Sequence, residues 1–216
     1  MIDLSRQSMI MHFNPEEWPV LIIGAGGIGS NAAYVLASMG LTDITVYDPE
    51  VVGPENIAPQ FYKWSQIGQY KVEALDNNIF DFTGAEIKKA REVYKAQKAN
   101  ARIVLVGVDH IAIRKRIWQQ HRIEGWEFWL DGRMGGPGCE FYSIWKGNSD
   151  HVALYNDKFL GYAHSEQPCG LKATAGLTKG LIQGMLWHSL YKIFNHQLPP
   201  LFQTFEGSVS YGDFGG

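Results

Sequence analysis

The sequence predicts an α/β fold, a Rossmann-like doubly wound and mostly parallel sheet with an antiparallel C-terminal extension. Three observations predict it. A short β-branched run, Val20-Leu21-Ile22-Ile23, leads directly into the glycine-rich segment Gly24-Ala25-Gly26-Gly27-Ile28-Gly29-Ser30. A helical pattern follows from Asn31 to Met39 and stops at Gly40, and a second strand, Ile44 to Tyr47, ends at Asp48. The uninterrupted apolar run Ile103-Val104-Leu105-Val106 reads as a parallel strand buried on both faces. Strand, helix and strand together make a β-α-β unit, whose crossover is right-handed in nearly all proteins.

The remaining elements follow in order. Tyr70 to Phe80 reads as a helix and Glu86 to Ala90 as a strand, before a polar, Lys-rich stretch. After the 103–106 strand and Gly107-Val108-Asp109, Ile111 to His121 reads as a helix and Glu127 to Leu130 as a strand. Gly132 to Gly138 reads as a turn, Cys139 to Trp145 as a strand and Ala173 to Phe194 as a long helix, which Pro199-Pro200 puts an end to. Trp126 and Trp129 are expected to pack the sheet.

Composition narrows the function classes. With 45% hydrophobic residues among 216 the chain can bury a full core, and 19% charged residues argue against disorder. A formal net charge of -3 gives no support for a nucleic-acid partner. No uncharged apolar stretch approaches the roughly 20 residues of a membrane helix, and the first residues lack a signal-peptide layout. No membrane association and a cytoplasmic setting are therefore the expectation. Two cysteines, Cys139 and Cys169, make neither a disulfide framework nor a paired zinc motif, so no zinc is expected. None of the seven histidines has metal-ligand spacing.

The glycines Gly24, Gly26 and Gly29 fit the G-x-G-x-x-G pattern between a strand and a helix. The first permits a tight turn, the second lets backbone approach a phosphate, and the third lets helix and strand pack closely. The helix N-terminus offers N–H groups and partial positive charge to an anion. Asp48, about 20 residues on, sits where an acid accepts from ribose hydroxyls; in isolation it reads equally as a strand-end acid facing water. The choice among NAD, FAD, S-adenosylmethionine and ATP rests on other residues.

Those residues carry a resemblance to the ThiF/MoeB/HesA superfamily, the ubiquitin-activating-enzyme-like adenylyltransferases. The extra glycine, Gly27, and the segment Tyr47-Asp48-Pro49-Glu50-Val51-Val52 resemble its GxGGxGS loop and the following acid-terminated strand. Glu55-Asn56-Ile57-Ala58-Pro59-Gln60-Phe61 resembles the family's "sNLxRQ" segment, and Ile67 to Leu75 its "diGxxKaxal" segment. Ile103 to Asp109 resembles the strand that delivers a metal-binding aspartate, and Leu4-Ser5-Arg6-Gln7 an N-terminal "YxRQ" element. The motifs run in order from about residue 1 to 135 and fade beyond.

The resemblance implies one ThiF-like domain over 1–216, with nucleotide bound within about 15–135 and substrate and dimer contacts within about 136–216. It implies ATP and Mg²⁺ as cofactors and adenylation of the C-terminal carboxylate of a small ubiquitin-like or sulfur-carrier protein or peptide, releasing pyrophosphate. Lys71 would supply a point charge to the phosphates, Asp109 would hold Mg²⁺, and Arg6 would reach into the site of a partner in a homodimer. Asn56 and Gln60 would hydrogen-bond the nucleotide, and Cys169 would be the candidate to take the acyl group as a thioester, ahead of Cys139.

Competing readings stand beside these roles. Lys71 alone reads as a solvated helix charge, Asp109 as a helix N-cap, and the final Gly215-Gly216 as an adenylation target or merely a glycine-rich tail. Pro59 replaces the family arginine and offers neither charge nor N–H, which leaves Arg133 and Arg114 as substitutes to be placed. A NAD- or FAD-dependent oxidoreductase would use the glycine loop and Asp48 but not Asn56, Gln60, Lys71 or Asp109. A catalytically weak nucleotide-binding scaffold subunit would explain Pro59.

Overall fold

The computed structural model describes residues 2–135, 138–160 and 178–206. In chain order the elements are β1 (Val20–Ile23), α1 (Gly29–Ser38), β2 (Ile44–Tyr47), α2 (Lys71–Thr83), β3 (Lys88–Ala90), β4 (Lys98–Asn100), β5 (Ile103–Val106), α3 (Ile111–Gln120), β6 (Arg122–Glu124), β7 (Phe128–Gly135), β8 (Gly138–Trp145), α4 (Ser149–Leu154), α5 (Thr178–Phe194) and β9 (Phe202–Glu206). One turn of π-helix, Tyr155–Phe159, continues α4. Seven strands form one sheet in the order β3-β2-β1-β5-β7-β8-β9. The strands from β3 to β7 in that order pair in parallel, and β8 and β9 add on antiparallel. This is the doubly wound sheet with an antiparallel extension that the sequence predicts.

Burial explains why the central runs are continuously apolar. All four residues of β1 and of β5 are buried, because helices cover both sheet faces. Leu36 of α1, Leu75 and Ile79 of α2, and Ile182, Leu186 and Leu190 of α5 pack on the face that carries Ile22 and Leu105. Ile117 of α3 and Tyr155 pack on the other, against Leu21, Val104 and Trp129. Trp126 and Trp129 are both buried there, ring against ring. Among the described residues no helix is long and apolar enough to cross a membrane.

Several expectations need correction. Gly132 to Gly135 is strand rather than turn, since β7 runs on through it, paired with β8. Gly132 is there for close packing, because a Cβ would come within 2.5 Å of Ile28 Cγ2. The Lys-rich stretch holds β4, which pairs in parallel with β6 as a separate two-stranded sheet. Helix α2 runs three residues past Phe80 and ends at Gly84, whose φ of 71° is the left-handed C-cap glycine favours. The strand expected over 86–90 has its first residue at Lys88. The residues 173–177 expected in the last helix lie outside the described residues.

Candidate functional site

Strand order reverses between β1 and β5. From β1 the chain moves outward to β2 and β3, then returns to the other side of β1 as β5. Ligands of open α/β sheets bind at the carboxyl ends of the strands at such a switch point. Here the loop leaving β1 lies against the loop leaving β5. Gly24, with φ of 95°, is packed so tightly that a Cβ would sit 3.1 Å from the carbonyl carbon and oxygen of Gly107. Gly29 is needed for the same reason, as its Cβ would fall 1.8 Å from the Gly24 carbonyl oxygen. Gly26 differs. A Cβ there would meet only the Gly107 oxygen, at 3.9 Å, so the protein's own packing does not require that glycine. The space it leaves beside the N-terminal end of α1 fits the close approach of a phosphate.

The segment after β2 frames this loop. Tyr62 Oη donates to the Ala25 carbonyl at 2.7 Å. Ser30 Oγ donates to the Gly26 carbonyl at 2.6 Å and accepts from Phe61 N–H at 3.0 Å. Asn31 Nδ2 donates to the carbonyls of Gly27 and Pro59 at 2.7 and 3.0 Å, and Asn31 Oδ1 accepts from Gln183 Nε2 of α5 at 2.9 Å. Pro59 thus takes part in the site through its carbonyl, as an acceptor. Asn56 Oδ1 accepts from Gly53 N–H at 2.8 Å, closing the 3-10 turn Pro54–Asn56. Gln60 Oε1 is buried with no hydrogen-bond partner, a state that costs free energy unless a ligand donor fills it.

Asp48 is buried, and each of its oxygens holds a backbone N–H, Oδ2 that of Ala25 at 2.7 Å and Oδ1 that of Glu50 at 2.8 Å. The reading as an acid simply facing water is thereby set aside. Burial pushes its carboxyl above the ordinary aspartate range, opposed by the Ala25 N–H and by the charge of Lys71. A carboxylate has about four acceptor positions, so two bonds leave capacity for ribose hydroxyls.

Lys71 opens α2 and is brought alongside by backbone clips. Its N–H donates to the Glu50 carbonyl at 2.9 Å, Val51 bridges to Tyr70, and Gly68 N–H donates to the Val52 carbonyl at 2.8 Å. The Lys71 side chain is only 5% exposed, which rules out the solvated helix charge, and its Nζ pairs with Glu50 Oε2 at 2.6 Å. Asp109 is exposed at the end of the β5 loop, two residues beyond Gly107. The N-cap position of α3 is His110, and Asp109 is the residue before it. The site therefore gathers the glycine loop, Asp48, Asn56, Gln60 and Lys71, with Asp109 beside the loop.

Other candidates lie elsewhere. Arg6 is exposed, and its neighbour Gln7 donates to the Met39 carbonyl at the C-terminal end of α1 at 2.8 Å. A ten-residue helix is about 15 Å long, so Arg6 sits a helix length from its own glycine loop. Cys169, Gly215 and Gly216 lie outside the described residues. Cys139 is buried on the sheet, where burial and then Glu140 push its thiol up to about 11. That is the opposite of what a thiolate nucleophile requires.

Arg114 and Arg133, the possible substitutes for the missing arginine, both bind the fully buried Asp131, which also accepts from Tyr155 Oη at 2.8 Å. Arg133 Nη2 lies 2.8 Å from Asp131 Oδ2, and its guanidinium stacks over Tyr142. This ion cluster lies on the sheet face away from the glycine loop, since Gly132 and Met134 alternate with it and face Ile28 and Gly27. Asp131→Ala is expected to cost about 3–5 kcal/mol, because it removes this carboxylate from the buried Arg114 and the partly buried Arg133. Urea titration of the variant measures it, and a loss below about 1 kcal/mol would contradict the pairing.

Sequence reasoning missed Glu50, Asn31, Tyr62 and Gln183 as parts of the site. Glu50 stood inside a quoted motif, whereas the Gln183–Asn31 bond joins residues 152 positions apart and leaves no local trace.

Comparisons with known proteins bear on the family and the fold. The ThiF family model matches residues 16–206. Among named relatives, the adenylyltransferase and sulfurtransferase UBA4 of Candida albicans is 36% identical over 61 residues, 28% of this chain and 14% of the relative. The adenylyltransferase and sulfurtransferase MOCS3 of Caenorhabditis briggsae is 33% identical over 82 residues, 35% of this chain and 20% of the relative. The chain thus matches only a small part of these relatives' length. Among solved structures, E. coli MccB with ATP superposes with a TM-score of 0.63 at 16% identity, covering 85% of this chain and 58% of MccB. PaaA does so with a TM-score of 0.64 at 16% identity, covering 87% of this chain and 60% of PaaA. At that identity the likeness is one of fold.

Proposed function

Because the chain belongs to the ThiF family, we propose that it uses ATP to adenylate the C-terminal carboxylate of a small ubiquitin-like or sulfur-carrier protein or peptide. In that reaction the carboxylate oxygen bonds to the α-phosphorus, the bond to the leaving oxygen breaks, and pyrophosphate departs. The observation that carries the reading is the buried Lys71 ammonium next to Asp48 at the mouth of the glycine loop. A dinucleotide oxidoreductase has no use for it. A positive charge with little water around it stabilises the negative charge that builds on the phosphates as the bond breaks.

Each other residue has a task. The loop at Gly26 and Gly27 brings backbone N–H groups to the α-phosphate, and Asp48 accepts from ribose. Asn56 Nδ2 and the unpartnered Gln60 Oε1 hydrogen-bond the nucleoside. Asp109 would hold Mg²⁺, which would supply positive charge to offset that of the phosphates; a single protein carboxylate completed by phosphate oxygens and water is a usual magnesium site. Arg6, remote from its own loop, would serve the site of a second copy in a homodimer. Cys169 remains the proposed thioester residue.

Two tests follow from this assignment. Labelled pyrophosphate is expected to exchange into ATP only when an acceptor with a free C-terminal carboxylate is added, and not when that terminus is amidated. Exchange that ignores amidation would overturn the carboxylate chemistry. Gly26→Ala is expected to leave stability within about 0.5 kcal/mol, as a methyl there strikes nothing in the protein. The same change weakens ATP by at least about tenfold, measured by calorimetry; unchanged affinity would remove Gly26 from the phosphate site. The rival reading, a catalytically weak scaffold subunit, is favoured by Pro59 and expects ATP binding with no exchange.

A further inference from the structure

From the Lys71–Glu50 pair we infer that Glu50 is a built-in competitor of the triphosphate, a carboxylate that occupies the phosphate-binding lysine until ATP displaces it. The inference rests on the ATP-binding reading above. The two partners are placed unequally. The Lys71 side chain is 5% exposed and the Glu50 side chain 67%, with 2.6 Å between Nζ and Oε2. A buried ammonium is costly without a counter-ion, so Lys71 needs an anion beside it, whether a carboxylate or a phosphate. Glu50 provides it from the solvent side, on a side chain free to turn back into water.

The position of Glu50 is enforced locally. Its N–H is held by Asp48 Oδ1 at 2.8 Å and its carbonyl by Lys71 N–H at 2.9 Å, so backbone alone keeps its carboxylate in reach of the lysine. Asp48 and Glu50 are joined through the Glu50 N–H, and Glu50 holds the Lys71 ammonium, so two carboxylates accompany the lysine that a polyanion must reach. When the phosphates reach Lys71, the Glu50 carboxylate would stand against like charge, and its exposure gives it a cheap way out. Glu50 is thus a positioning residue that holds Lys71 ready and sets how strongly ATP must compete for it.

The test is calorimetry of ATP·Mg²⁺ binding to the wild-type chain, Glu50→Gln, Glu50→Asp, Lys71→Met and the Glu50→Gln/Lys71→Met double variant. Glu50→Gln is expected to bind ATP roughly tenfold more tightly, the size of one hydrogen bond to a charged group, while its ligand-free melting temperature falls. Glu50→Asp, which keeps the charge and shortens the reach, is expected to tighten binding less. In the Lys71→Met background Glu50→Gln is expected to bring no gain. A merely structural Glu50 would give only weaker binding. Unchanged or weaker ATP binding in Glu50→Gln overturns the inference, as does an equal gain in the Lys71→Met background. Wild-type chain that binds no ATP would instead defeat the underlying nucleotide reading.

Discussion

Lys71→Ala is expected to lower carboxylate-dependent pyrophosphate exchange by roughly 10²–10³-fold, the usual cost of removing one preorganised charge stabiliser from a transition state. It is expected to leave the fold intact. The asymmetry of the ion pair makes the two effects separable. Removing Lys71 leaves behind Glu50, whose carboxylate is already 67% exposed and stays hydrated, so no buried charge is orphaned. The backbone clip between Lys71 N–H and the Glu50 carbonyl also survives the substitution. Exchange assays beside thermal melts measure both quantities. Full exchange in Lys71→Ala would take the phosphate role away from this lysine. A collapse of the melting temperature would show that Lys71 acts through stability instead.

Gly29→Ala is expected to destabilise the chain by more than about 4 kcal/mol, in the range reserved for severe packing failure. The added methyl would fall 1.8 Å from the Gly24 carbonyl oxygen and 2.9 Å from its carbon. Both are backbone atoms, so no rotamer change relieves the clash. Gly24 cannot retreat, since its own position is closed by Gly107 on the neighbouring loop. Helix α1 would have to lift away from β1, breaking the buried contacts of Ala32, Ala33 and Leu36. Urea unfolding and yield of soluble protein check this, and a stable, well-folded Gly29→Ala would contradict the close packing of loop and helix. Compared with Gly26→Ala, it separates the glycine that the fold needs from the glycine that a ligand needs.

Much of the fold was legible because the signals were local. Val20–Ile23 and Ile103–Val106 are buried on both faces, and burial on both faces is what an uninterrupted apolar run records. Gly132 misled for a physical reason. Glycine marks turns by conformational freedom but also marks close approach, and at Gly132 the contact with Ile28 decided. The short β4 and β6 were hidden in polar sequence, because they form a small pair in which Lys98, Asn100, Arg122 and Glu124 are all exposed.

The site was legible in its motif residues and silent in what supports them. Asp48, Asn56, Gln60 and Lys71 come together at the glycine loop as their order implies. Their supports, the Tyr62 hydroxyl on Ala25 and the Asn31 amide tied to Gln183, are long-range bonds that no local pattern encodes. Arg133 and Arg114 could not be placed from sequence, and the fold commits both to Asp131.

In the proposed function the glycine loop, Asp48 and Lys71 together hold ATP. Titration calorimetry of the chain with ATP·Mg²⁺, NAD⁺ and FAD, repeated with Lys71→Ala, tests it most directly. The expected result is saturable ATP binding that weakens in Lys71→Ala, and no heat from either dinucleotide. Binding of NAD⁺ or FAD with no response to ATP would contradict it and assign the loop to a dinucleotide.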